Sequence, residues 1–169
     1  MKNLLPLVLA FSLSTAALPA AAQSVDQNAF KAAMIYNIAR FATWPPPRFA
    51  DASAPVILCV APGDPLADDL ARLEGQPVKT RRLDVRITAS FGPACHLALI
   101  PSDMPAARIE TLNSQGVLTI GERPGFSRAG AVGLVQIGRQ VRFEVNTRAA
   151  GQGGVVLSSQ LLRLAIAVK

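Results

Sequence analysis

The residues best able to do chemistry in this chain are a single histidine, His96, and two cysteines, Cys59 and Cys95. A metal would need these three together, but Cys95 and His96 are adjacent, and neighbours on a strand point to opposite faces. A serine hydrolase would need His96 as its base, and no strained G-x-S-x-G turn presents a nucleophile. Asp68 and Asp69 are the obvious carboxylate pair, yet neighbours on a helix diverge by about 100° and do not face a common substrate. Gly151, Gly153 and Gly154 do not make G-x-G-x-x-G, and no phosphate-binding loop is present. The residues therefore point away from an enzyme, and they imply no cofactor and no metal.

The cysteines carry more information. In a reducing compartment they would be buried thiols, whereas an exported chain favours a bridge. Residues 1–22 have the pattern of an export signal: Lys2, an apolar run from Leu4 to Leu18, then Ala20 and Ala22 at the small positions before a cut. The run is broken by Pro6 and Pro19, which argues against a permanent membrane span. Cys59 and Cys95 sit on two apolar runs on either side of a helix, close enough to pair if those strands are neighbours. In-register pairing alone does not bring them level, because Cys59 is late in its run and Cys95 opens its own; a strand stagger is the expected remedy.

The elements that position these residues follow from periodicity. Phe30, Ala33, Met34, Ile38 and Phe41 recur at helical spacing between residues 25 and 44, with Asp26 as the expected cap and Trp44-Pro45-Pro46-Pro47 as the stop. Asn37 falls on that stripe, where its amide is expected to bond a neighbouring loop. The apolar run 56–60 reads as a strand covered on both faces. Asp64 and Pro65 open a helix carrying Leu66, Leu70 and Leu73 and ending at Gly75. Residues 78–87 and 95–100 read as strands, Ser102 or Asp103 as the cap of a helix through Leu112, and 117–120 as another strand. Strict alternation then begins: Val141, Phe143 and Val145 face one way, Arg142, Glu144 and Asn146 the other, returning from 132–137 through Gly138-Arg139-Gln140. Ser158 or Ser159 caps an expected last helix with Leu161, Leu164, Ala165 and Val168 on its stripe. The expected class is α/β: one domain at 23–169 behind the 1–22 signal, with a mostly parallel sheet flanked by helices and a C-terminal antiparallel hairpin.

The charge balance is basic, with a formal net charge of +6. Lys79, Arg81, Arg82 and Arg86 are the densest cations and read as the solvated face of a strand, with a dedicated anion site the alternative. An exported chain meets little nucleic acid, so acidic protein surfaces or anionic headgroups are the partners this charge would suit.

Six segments taken in order resemble the YfiR-like family of periplasmic regulators: KAAMIYNIARFATWP (31–45), LCVAPGDPLADDL (58–70), CHLALIP (95–101), VLTIGE (117–122), VRFEVN (141–146) and LSSQLLRLA (157–165). The resemblance implies a protein that binds the periplasmic sensor domain of an inner-membrane diguanylate cyclase and represses cyclic di-GMP synthesis, restraining biofilm formation. It implies release by an outer-membrane lipoprotein, a homodimer, and a disulfide at Cys59 and Cys95. A second cysteine pair carried by some members is absent here. The family-matching residues Phe143, Glu144, Asn146, Ser158, Ser159, Leu161 and Leu162 are the implied partner surface, although Phe143 and Leu161 also read as core and the serines as caps. Relatives beside sensor histidine kinases make a kinase the alternative client. A small-molecule sensor is a further alternative, its crevice lined by residues 61–64, 101–103 and 121–125 at the C-terminal ends of the strands.

Overall fold

The computed structural model describes residues 21–169, and all but the last two positions of the expected export signal lie outside the described residues. The chain runs α1 (Ala21–Phe41), β1 (Ala42–Thr43), a 3-10 turn at Pro46–Arg48, β2 (Val56–Val60), α2 (Ala67–Ala71), β3 (Pro77–Val78), β4 (Arg81–Ile87) and β5 (Leu97–Leu99). It continues through α3 (Ala106–Ser114), β6 (Leu118–Gly121), β7 (Val132–Ile137), β8 (Gln140–Val145), α4 (Thr147–Gly151), β9 (Val156–Leu157), α5 (Ser159–Leu162) and β10 (Ala167–Val168).

Among the described residues the main sheet has the order β10-β8-β7-β6-β5-β2-β4-β3. The strands from β4 to β7 are parallel, β7 and β8 form the antiparallel hairpin, and β10 adds in parallel to β8. The class expected from the sequence, α/β with a mostly parallel sheet and a C-terminal hairpin, is the observed one. β1 and β9 pair separately, Ala42 with Leu157 and Thr43 with Val156.

The period of two explains the layers. Val56, Leu58 and Val60 of β2, Leu97 and Leu99 of β5, and Leu118 and Ile120 of β6 all lie in the larger core with Ile35 and Ile38 of α1. The intervening residues Cys59, Ala98 and Ile100 lie in a second core with Ile109 and Leu112 of α3. Both faces of the central strands are apolar because both are covered by helices, as parallel sheets require.

Five local expectations are corrected. Helical backbone already runs from Ala21, so Asp26 lies inside α1 and does not cap it. The buried stripe of α1 is Ala32, Ile35, Ile38 and Ala39, whereas Phe30 is 53% exposed and Asn37 is exposed, accepting only from Arg40 at 3.4 Å. The apolar residues of this helix satisfy two phases, and the one carrying both isoleucines gives the better fit to the sheet. Residues 78–87 are a tight hairpin, with Lys79 at φ 55° in the turn and its Nζ donating to Ala42 O at 2.8 Å. Arg81 likewise turns inward to Ala54 O, so neither cation belongs to a freely solvated face. At α3 neither Ser102 nor Asp103 caps the start; Pro105 occupies the cap position, extended at ψ 144° and making no side-chain cap bond. The last helix stops at Leu162; Leu164 lies in the turn that closes it, its N–H donating to Leu161 O, and Ile166 and Val168 reach the sheet edge, where Ile166 N–H donates to Phe143 O and Lys169 N–H to Val145 O.

One close approach is backbone on backbone. A Cβ on Gly153 would lie 2.1 Å from Gly116 N, where the turn after α3 meets the turn after α4. Gly151 has open space around it. Gly153→Ala is therefore expected to destabilise the protein by about 2–3 kcal/mol, the usual cost of overpacking, while Gly151→Ala changes it little. Equilibrium urea unfolding of the two variants checks this.

Candidate functional site

The histidine that a hydrolase would have needed is committed to structure. His96 is buried, at 4% exposure, just before β5. Its Nδ1 accepts the Ile57 N–H at 3.1 Å, so the proton sits on Nε2, which donates to Arg48 O at 3.1 Å. A backbone N–H can only donate and a carbonyl can only accept, so this pair of partners fixes one neutral tautomer. The ring stacks on Phe49, with centroids 4.5 Å apart, and meets the edge of Trp44 at 5.8 Å. Trp44 Nε1 donates to His96 O at 2.8 Å. On the far side of Phe49 the Arg81 guanidinium lies 3.6 Å from the ring centroid. Burial, ahead of the nearby arginines, lowers the His96 pKa to about 4. A neutral imidazole with both nitrogens occupied is no general base.

Arg48 went unremarked in the sequence. It donates from Nη1 to Pro93 O at 2.7 Å and from Nη2 to Cys95 O at 2.6 Å, and burial pulls its pKa downward. Its place in a proline-rich segment after a helix gave no sequence cue to a partner some 45 residues on.

Next to this node Cys59 and Cys95 form a disulfide with Cα atoms 5.8 Å apart. Strand stagger does not bring them together: Leu58 pairs with Leu97 and Cys59 with Ala98. The chain instead bends at His96, and a turn closed by Cys95 N–H to Gly92 O folds Cys95 back over the face that carries Cys59. The expectation that Cys95 and His96 serve opposite faces is met, since Cys95 lies in the α3-side core while His96 meets Trp44 and Phe49.

The seven residues nominated as a partner surface are gathered at the C-terminal edge, but they hold different positions. Phe143 and Leu161 are buried, at 7% and 2% exposure, in the larger core. Ser158 Oγ accepts from Leu161 N at 3.2 Å as the cap of α5. Asn146 caps α4 through Ala149 N at 2.9 Å and donates to Ser127 O at 2.9 Å. Glu144 accepts from Ser127 Oγ at 2.5 Å and Lys169 Nζ at 3.1 Å, and these bonds hold its carboxyl below the ordinary range. Ser159 is exposed and Leu162 half-buried. Beside them β10 ends the sheet with Val168 48% exposed, preceded by Ile166 at 45% and, in the turn after α5, Leu164 at 60%. The three loops nominated as a ligand crevice contribute Asp64, Pro101, Ser102, Glu122 and Arg123 to one cavity, which Asn28 and Lys31 of α1 also line.

The model of the YfiR/HmsC-like family matches residues 28–166, from the second turn of the described α1 to the residue before β10. No curated protein matches the chain.

Two measurements test the node. The unfolded imidazole titrates near 6.5 and the folded one near 4, so between these values the unfolded chain binds a proton that the folded chain excludes. Stability is therefore expected to be full above pH 6.5 and to fall as pH drops towards 4; urea unfolding across this window should show a slope that His96→Gln flattens. The disulfide closes a loop between residues 36 apart, so replacing both cysteines by alanine should cost about 4 kcal/mol on the chain-entropy model, read from the same unfolding curves.

Proposed function

The chain belongs to the YfiR/HmsC-like family, and on that premise we propose that it is a periplasmic regulator of diguanylate cyclase signalling that binds the sensor domain of an inner-membrane cyclase and holds the enzyme inactive. Low cyclic di-GMP and restrained biofilm formation follow from that binding. The reading asks for no catalytic group. It asks for a surface whose affinity differs between two states of a partner, because equal affinity shifts no equilibrium.

The observation that carries the placement of that surface is the apolar sheet edge at β10. Leu164, Ile166 and Val168 are each about half exposed or more, on or beside a two-residue strand that closes the sheet. An edge strand offers unpaired backbone groups, and soluble proteins ordinarily shield such edges with charge, proline or a covering element. Here the flanking charges are Arg163, exposed and next to Leu164, and Lys169, which is engaged by Glu144. Val168 pairs with Val145 and Ala167 with Glu144, so the exposed apolar side chains of this edge share a face with Phe143 and Val145 while Glu144 lies on the other. Phe143 and Leu161 lie in the larger core, and Asn146 and Ser158 cap α4 and α5. The same face is the one we assign to exchange between the cyclase, a sequestering outer-membrane lipoprotein and a second copy of the chain.

The geometry also selects the better variant. Glu144→Lys would set two ammonium groups together and remove the acceptor of the Ser127 hydroxyl, mixing folding with binding. Leu164→Glu alters only an exposed side chain and is expected to leave stability within about 0.5 kcal/mol. In crosslinked capture from the periplasm of the native host, the unmodified protein should retain a membrane-bound cyclase. Leu164→Glu should weaken that capture at least tenfold and raise cellular cyclic di-GMP. Undiminished capture by Leu164→Glu removes the β10 edge from the interface. Recovery of a sensor kinase in place of a cyclase would redirect the pathway, and recovery of neither would refute the regulator reading.

A further inference from the structure

Residues 123–169 hold six arginines and Lys169 against Glu144 alone, so this segment carries the whole formal net charge of +6. Lys169 is engaged by Glu144, and Arg123 donates to the carbonyls of Ser102 and Met104. Arg128, Arg139, Arg142, Arg148 and Arg163 are all exposed, and among the described residues none of them is paired with a carboxylate. The free cations are therefore not those of 79–86, where Lys79 and Arg81 turn inward and Arg86 pairs with Asp84.

Strand register places two of these arginines together. In the β7–β8 hairpin Ile137 pairs with Gln140, Val135 with Arg142 and Gly133 with Glu144. Side chains alternate along a strand, so these residues share the face turned away from Phe143 and the larger core. At the base of that face lies the 3-10 turn Phe126–Arg128, whose Ser127 Oγ donates to Glu144 Oε2 at 2.5 Å. Towards the tip the face opens: Val135 is half-buried, Ile137 is 52% exposed, and Gln140 and Arg142 are exposed. Gly138, at φ 57°, and Arg139 make the turn itself. On the core side Gln27 Nε2 of α1 donates to Gln136 Oε1 at 2.9 Å, which ties the tip to the first helix.

The outcome is one apolar side chain among unpaired guanidinium groups on a narrow hairpin end. Such an end is small beside the roughly 800 Å² that each partner gives to a stable protein interface. It suits a bilayer surface, where an apolar residue enters the headgroup layer and arginines bind the phosphates around it. We propose that the β7–β8 tip docks on an anionic phospholipid surface, with Ile137 among the headgroups and Arg139 and Arg142 on their phosphates. Docking of this kind would concentrate a periplasmic regulator at the membrane that holds its client. The proposal does not rest on the regulator reading: its test contains lipid and this protein only, so each can fail without the other.

Sedimentation of the protein, purified from the periplasm of its host, with vesicles of equal parts phosphatidylglycerol and phosphatidylcholine provides the test, against vesicles of phosphatidylcholine alone. Binding is expected only where phosphatidylglycerol is present. It should disappear between about 0.1 M and about 1 M salt, as the screening length falls from about 10 Å to about 3 Å. Arg139→Gln and Arg142→Gln should each weaken it about fivefold, the worth of one cation at an anionic surface. Ile137→Asp should weaken it about tenfold or more. Arg40→Gln removes the same charge from the exposed face of α1 and should change binding by less than about twofold. Ile137→Trp should bind more tightly than the unmodified protein and shift its emission to the blue on the anionic vesicles, a gain that damage to the hairpin would not produce. Equal binding to both vesicles, binding to neither, or equal losses from Arg40→Gln and Arg139→Gln would each overturn the assignment. Retention by immobilised polyglutamate in place of the anionic vesicles would give this surface to an acidic protein instead.

Discussion

The imidazole of His96 joins two backbone segments that have no strand or helix in common. It accepts from Ile57 in β2 and donates to Arg48 in the proline-rich turn after α1, while its own carbonyl receives the Trp44 indole. Only a neutral ring can do both, and burial keeps it neutral. The end of α1 is thereby fixed against the centre of the sheet. Its aromatic packing continues outward through Phe49 to Arg81, so the β3–β4 hairpin is clamped to the same point.

The disulfide extends that fixation to the other layer. Cys95 immediately precedes His96, and its bond to Cys59 closes the α3-side core while the histidine serves the α1 side. Arg48 binds the Cys95 carbonyl from the first side, and Gly116 and Gly153 bring the turns after α3 and α4 close beside its guanidinium. Two adjacent residues thus anchor both faces of the sheet. The apparent catalytic inventory of the sequence is spent on this architecture: one histidine with both nitrogens bonded, and two cysteines bonded to each other.

Among the described residues the fold leaves surface and a crevice available. Residues 166–168 carry Ile166 and Val168 to the sheet edge with Leu164 exposed on the turn before them, and the strand switch at β2 opens a charged cavity above apolar residues. α1 spans the distance between them in sequence terms only through the core, since Lys31 lines the cavity and Ile35 and Ile38 pack in the larger core shared by Phe143 and Leu161.

The sequence by itself determined the class, the central strands, the C-terminal hairpin and the family, because each rests on local periodicity or on ordered short segments. Val141, Phe143 and Val145 alternate whatever they pack against, and the continuous apolar runs at 56–60 and 95–100 demand cover on both faces. It also brought the loops of the crevice to one end of the sheet, since parallel strands end together. Tertiary structure decided everything that depends on a distant partner. The phase of α1 was set by which stripe met the sheet, turning Asn37 outward and Ile35 inward. Val168 has helical spacing with Leu164, yet the free edge of β8 offered hydrogen bonds at Phe143 and Val145 that drew residues 166–169 to the sheet. A bend at His96, which no strand pattern encodes, brought Cys95 to Cys59. Periodicity fixes which residues share a face; only the packed chain selects what that face meets, because the free energy of burial and of paired backbone groups belongs to both partners.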